Sequence, residues 1–274
     1  MLPCGRCTGC RLDRAKAWAL RCAHEALQWP SSSFLTLTYR PADLPKNGSL
    51  DYRDFQLFMK RLRFHLKEKF GVDRISYYMC GEYGEQLSRP HFHCILFGHD
   101  FLHDRKQISK KRGNTLYQSA TLDGLWGKGF ASIGNVTFQS AAYCARYTMK
   151  KMVGKEAAKH YQRVNPETGE IYQLTPEFNK MSLNPAIGKG FFESYKDDIY
   201  PDDFCLIDGK KVRSPRYYDR LLEKHNPQLL ETVKTNRKAQ AESQAHNNTR
   251  ARREVREKCL TAKITKLKRE LSDD

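Results

Sequence analysis

With 274 residues, the chain has room for one sizeable core with appendages, or for one domain followed by a helical tail. Its 48 Lys+Arg against 31 Asp+Glu give a formal charge of +17, which favours a polyanionic partner such as nucleic acid. The 14 Tyr and 14 Phe argue against general disorder. Nine scattered cysteines, with no apolar run of spanning length and no secretion-like leader, fit a reducing cytoplasm and no membrane partner.

Residues 11–28 have helical composition, with Trp18, Cys22 and Leu27 as apolar positions. After Pro30 and three serines, FLTLTY (34–39) alternates with period two and predicts a buried strand. Asp51 is a plausible cap for the next helix, in which Phe55, Phe58, Met59, Leu62, Leu66 and Phe70 recur at helical spacing. RISYYMCGE (74–82) and HFHCILF (91–97) predict an antiparallel hairpin. The polar, basic residues 99–118 look like a surface excursion. LDGLW suggests a short helix, FASIGNVTF (130–138) a further strand, and 139–152 a helix. This order predicts an α+β fold, an antiparallel sheet flanked by helices in the ferredoxin-like manner. The expected divisions are an N-terminal cysteine-containing helical segment (1–29), a catalytic domain (30–152), an extension without assignable elements (153–215) and a basic helical tail (216–274). Between 234 and 270 about twelve Lys/Arg face four Asp/Glu, which fits a solvated helix or a DNA-gripping arm.

The chemistry concentrates in two places. In RPHFHCILF, strand alternation puts His91 and His93 on one face, roughly 6–7 Å apart, and Phe92 and Cys94 on the other. Two neutral imidazoles so placed can share one divalent ion. Glu82, ending the preceding strand, completes a three-ligand set if it lies opposite either histidine; Glu85 is the competitor, nearer in sequence but in the turn. Such a set leaves positions for a phosphate oxygen. The second place is AAYCARYTMKK, where Tyr143 and Tyr147 are one helical turn apart, followed by Lys150 and Lys151. Aromatics at this spacing also build cores, but Arg146 and the lysines are awkward in a buried stripe and suit a phosphate backbone. A phenol attacks phosphorus once charge is drawn from the non-bridging oxygens, and Lys150 or Lys151 can stabilise the phenolate.

FLTLTY, the His91–His93 pair after GEYGE, and YCARYTMKK resemble, in order, the three motifs of the HUH rolling-circle replication initiators. The doubled tyrosine resembles the arrangement in initiators of small single-stranded DNA phages. LPCGRCTGCRLDRAKAWALRCAHEA, MSLNPAIGKGFFESYKDDIYPDDF (181–204) and SPRYYDRLL (214–222) extend the resemblance to the gokushovirus group of microviruses. The resemblance implies an endonuclease that nicks the origin of a circular replicative form and stays bound to the 5′ phosphate. The freed 3′ hydroxyl would prime a host polymerase, working with a host helicase in the bacterial cytoplasm, and a second transfer would close the displaced single-stranded circle. By motif, Tyr143 and Tyr147 are the nucleophiles, His91 and His93 metal ligands, and Glu82 stands in the place of the acidic ligand. Magnesium or manganese is the expected ion, though imidazoles also suit zinc. Arg89 and Arg146 are candidate DNA contacts.

Cys4, Cys7 and Cys10 form CxxCxxC, with Cys22 and His24 further on. They supply three of the four ligands of a structural zinc site, or are reduced cysteines packed near the first helix. No GxxxxGK[ST] loop is present, so no ATPase is expected. Three other functions remain in play: a single-strand-binding module, a metal-dependent hydrolase in which water attacks, and a structural phage protein. The ordered His and Tyr motifs speak against the last.

Overall fold

A computed structural model of the chain describes all residues except 1–3, 6, 85–86, 112–113, 147–150, 153, 155 and 266–274. The alternation of FLTLTY becomes strand β1 (Ser32–Thr38), in which Leu35 and Leu37 enter the core and Thr36 and Thr38 face the other way. Helix α1 (Thr8–Ala26) precedes it. Helix α2 (Tyr52–Phe70) starts where the Asp51 carboxylate accepts the Arg53 N–H at 2.8 Å. It stops at Gly71, whose φ of 62° lets its N–H reach back to the Leu66 and Lys67 carbonyls. Phe55, Phe58, Met59, Leu62 and Leu66 are buried on one stripe. Phe70, at the helix end, is instead 43% exposed.

The expected hairpin is β2 (Ser76–Tyr83) with β3 (Pro90–Phe97), paired antiparallel. After it come β4 (Lys106–Lys111), β5 (Asn114–Gln118), α3 (Ala120–Trp126), β6 (Ala131–Gly134) and α4 (Phe138–Arg146). The excursion at 99–118 is therefore largely a hairpin, joined to the sheet where Tyr117 pairs with Ile133. Its lysines are the charges that protect an edge strand, which is why its composition looked like loop. The strand expected over 130–138 ends at Gly134. Thr137 and Ser140 then exchange hydrogen bonds, Ser140 N to Thr137 Oγ1 at 3.0 Å and Thr137 N to Ser140 Oγ at 2.8 Å, and this reciprocal cap turns the β-branched stretch into a helix start.

The seven-stranded sheet runs β4-β5-β6-β1-β3-β2-β9, antiparallel throughout, with β9 (Phe178–Met181) as one edge. Four strands, β1, β2, β3 and β6, lie in the spatial order fourth, first, third, second, the split β-α-β pattern of ferredoxin-like folds. Helices α2 and α3 cover the face carrying Leu35, Leu37, Met79, Phe92, Cys94 and Ile133, where Phe58 and Trp126 meet edge-on at 6.1 Å. Helices α1 and α4 lie on the opposite face. There Trp18 packs 5.0 Å from Tyr78, and the sulfurs of Cys144 and Cys80 are 3.5 Å apart. Arg21 clamps the Ile187 carbonyl through two bonds of 3.0 and 2.8 Å, and Glu25 accepts the Gly188 N–H. Short elements α5 (Ala157–Tyr161), β7 (Gln162–Val164) and β8 (Ile171–Gln173) precede β9.

The chain divides into two compact units, Arg11–Gly188, which holds the sheet, and Met1–Cys10 with Lys189–Asp274. The second contains α6 (Lys189–Ile199), β10 (Phe204–Ile207), β11 (Lys210–Arg213), α7 (Arg216–His225), α8 (Pro227–Ser243) and α9 (Arg250–Thr265). Phe192, Ile199, Tyr218, Leu222, Leu230 and Val233 form its small core. Arg237 of α8 is bonded to both Asp203 and Asp219 at 2.6–2.8 Å. Helix α9 has no buried residue among those described. Among the described residues, no helix is long and apolar enough to cross a membrane.

Candidate active site

The site is built from neighbouring positions on three strands. In the β2–β3 register Glu82 lies directly opposite His91, and Cys80 opposite His93. In the β1–β3 register Thr36 lies opposite His93, and Thr38 opposite His91. Residues so paired share a face, and because Phe92 is drawn into the core, His91 and His93 must project from the other side. Glu82 Oε1 lies 2.7 Å from His91 Nε2 and 3.0 Å from His93 Nε2. All three ligand atoms fall within 4.8 Å of one another. Glu82 and His93 are 2% exposed and buried under α4, whereas His91 opens towards solvent.

Electrostatics keep the carboxylate charged. Burial works against ionisation of Glu82, but hydrogen bonds and charge from His91 and His93 outweigh it and hold its pKa down to about 2. The far nitrogens of both rings are also engaged. His91 Nδ1 is 3.2 Å from the Arg89 carbonyl, which can only accept, so the proton sits on Nδ1. His93 Nδ1 is 3.0 Å from Thr36 Oγ1. With protons held on Nδ1, each imidazole offers its Nε2 lone pair to the same point as Glu82 Oε1. Two imidazoles and one buried carboxylate, oriented by outer partners, are a donor set that suits a divalent cation.

Helix α4 lays Tyr143 over this site. Its ring meets that of His93 edge-on at 5.3 Å and that of Phe34 at 6.2 Å, and it is 8% exposed. Phe34 in turn stacks on His93 at 5.5 Å.

Residues 32–152, from the first residue of β1 to just beyond α4, match the family model of the replication-associated protein ORF2. Over 232 residues the chain is 34% identical to replication-associated protein ORF2 of Spiroplasma virus 4, covering 81% of this chain and 68% of that protein. Over 231 residues it is 32% identical to replication-associated protein VP4 of Bdellovibrio phage phiMH2K, covering 82% and 69%. It is 30% identical to replication-associated protein ORF4 of Chlamydia phage 1, covering 81% and 54%. This chain belongs to the phage replication-associated proteins. No solved structure matches it.

In this replication-associated protein, the other residues singled out by sequence fall as follows. Arg89 is half-buried and donates to the Tyr39 carbonyl at 2.6 Å, while its own carbonyl orients His91. Arg146 is half-buried in the last turn of α4. Lys151 is half-buried, and its carbonyl accepts from Arg11 at 2.9 Å. Tyr147, Lys150 and Glu85 lie outside the described residues. The sulfurs of Cys4, Cys7 and Cys10 come together. Sequence reasoning missed Thr36, although its signal was present: within FLTLTY the threonines occupy the face opposite the leucines, the face the histidines share. It also missed Asn179 of β9, whose amide donates to the Tyr78 hydroxyl at 2.7 Å beneath α4.

Proposed function

We propose that this replication-associated protein initiates rolling-circle replication by nicking one strand of a circular viral genome at its origin. The link formed is a covalent 5′-phosphotyrosine, with Tyr143 and Tyr147 as nucleophiles. The observation that best supports this reading is the Tyr143 ring 5.3 Å from His93, over the face where Glu82, His91 and His93 converge. A magnesium or manganese ion held by those three residues would withdraw charge from the non-bridging oxygens of the scissile phosphate. Tyr143 Oη, its proton shed to solvent, attacks phosphorus; the Oη–P bond forms as the P–O3′ bond breaks, and the 3′ oxygen takes up a proton as a free hydroxyl. Lys150 and Lys151 offset the phenolate charge, and Arg89 and Arg146 hold the DNA backbone. The tyrosine ester conserves the energy of the broken bond, so a later attack by a 3′ hydroxyl rejoins the strand and frees the phenol. Tyr147 gives the enzyme a second acceptor for closing the displaced circle. The released 3′ end primes a host polymerase, assisted by a host helicase, in the cytoplasm of the bacterial host.

The test is incubation with labelled single-stranded oligonucleotides tiling the cognate viral genome, with Mn²⁺ or a chelator, followed by a denaturing gel. A metal-dependent protein–DNA adduct that persists in Tyr143→Phe or Tyr147→Phe alone and vanishes in the double variant is expected. Cleavage without an adduct, surviving both changes, would assign the attack to water. Binding without cleavage across the whole tiling would leave a single-strand-binding protein.

A further inference from the structure

Cys22, Cys80, Cys94 and Cys144 are buried packing groups whose thiols burial pushes up. Cys4 and Cys7 are exposed and Cys10 only half-buried, so no hydrophobic core explains them. Their sulfurs nevertheless gather within 4.8 Å of one another.

The spacing suits a shared ion better than a covalent bridge. A tetrahedral ion with sulfur bonds of about 2.3 Å holds its ligand sulfurs about 3.8 Å apart. Cys4 Sγ and Cys10 Sγ are 3.8 Å apart. A disulfide would require about 2.05 Å. The local backbone supports negative charge on sulfur. Gly5, at φ 74°, lets the chain turn back between Cys4 and Cys7, and the Cys7 N–H then donates to Cys4 Sγ at 3.3 Å. Thr8 opens the 19-residue helix α1, so the cluster also sits at the positive end of a helix dipole.

We propose that Cys4, Cys7 and Cys10 bind a zinc ion, a second metal site in this chain that ties residues 4–7 to the first turn of α1. Its donors are soft thiolates, whereas Glu82, His91 and His93 offer oxygen and imidazole, so the two sites select different ions. Among the described residues the cluster is a group of three, which leaves the fourth position of a tetrahedral ion to water or an added ligand.

The experiment uses the full chain, reduced and stripped by chelator, with zinc alone as the probe. Alkylation by iodoacetamide is followed cysteine by cysteine by mass spectrometry, with the exposed Cys259 as internal reference. Zinc is expected to slow labelling of Cys4, Cys7 and Cys10 by roughly tenfold or more while Cys259 is unaffected. Cobalt in place of zinc should give a sulfur-to-cobalt charge-transfer band that Cys7→Ser removes and the His91→Ala/His93→Ala double variant keeps. Zinc-independent labelling of all three cysteines, a band that survives Cys7→Ser, or a Cys4–Cys10 disulfide formed under reducing conditions would overturn the proposal. Labelling is read in the unaltered chain, so misfolding of a variant cannot mimic the result. Neither readout involves DNA, so failure here is distinct from failure of the nicking reading.

Discussion

Replacing Thr36 by valine removes one hydroxyl from β1 while keeping the β-branched shape that suits a strand. That hydroxyl lies 3.0 Å from His93 Nδ1, and His93 is 2% exposed, so solvent offers no substitute. In the metal-free variant the ring escapes the loss by moving its proton to Nε2, where Glu82 accepts it at 3.0 Å. Metal binding needs that Nε2 lone pair and forces the proton back to an Nδ1 with no acceptor. The penalty of an unsatisfied buried donor, about 1–3 kcal/mol, therefore falls on the bound state alone. The expected result is a loss of roughly 10–100-fold in Mn²⁺ affinity, or about 1.4–2.7 kcal/mol, measured by isothermal titration. Thr36→Ser keeps the oxygen and should recover most of the affinity, with a thermal melt confirming that both variants are folded. Equal affinity in wild type and Thr36→Val, or a serine variant as weak as valine, would refute the tautomer argument.

His91→Ala and His93→Ala should each abolish nicking while leaving non-specific DNA binding nearly intact; metal-dependent cleavage retained by both would remove these residues from the site. Changing Arg250, Arg252, Arg253 and Arg256 of the exposed α9 to glutamine should flatten the salt dependence of single-strand binding, by roughly 0.7 in slope for each phosphate the helix no longer neutralises. An unchanged slope would take α9 off the DNA surface. Arg237→Met strips Asp203 and Asp219 of their shared partner, and with side chains about one-fifth exposed the cost should be about 2–3 kcal/mol in a urea melt near neutral pH. Burial works against the Asp203 charge, but Arg237 and Ser214 outweigh it and hold its pKa below the usual carboxylate range. Stability from a lowered carboxylate pKa is present above about pH 4 and disappears as pH falls through the folded value. The gap between wild type and variant should therefore narrow in acid, and a gap independent of pH would show that the ion pair is not its source.

The sequence by itself determined the elements whose side chains record their own burial. Helix α2 was legible from Phe55 to Leu66 and from its Asp51 cap, and β1 and β3 from period-two alternation. Glu82 opposite His91 was legible too, because a short hairpin leaves its register few choices. What lay beyond the sequence was pairing across distance. The polar β4–β5 hairpin and β9, which joins β2 with Cys80 opposite Asn179, are held by backbone hydrogen bonds that leave no mark on composition. Tyr143 was visible as a candidate, but helical spacing alone could not distinguish a core aromatic from one set over His93. Only the packing of α4 on the sheet made that choice, because it depends on contacts between residues some 50 apart in sequence, and periodicity carries no information on that scale.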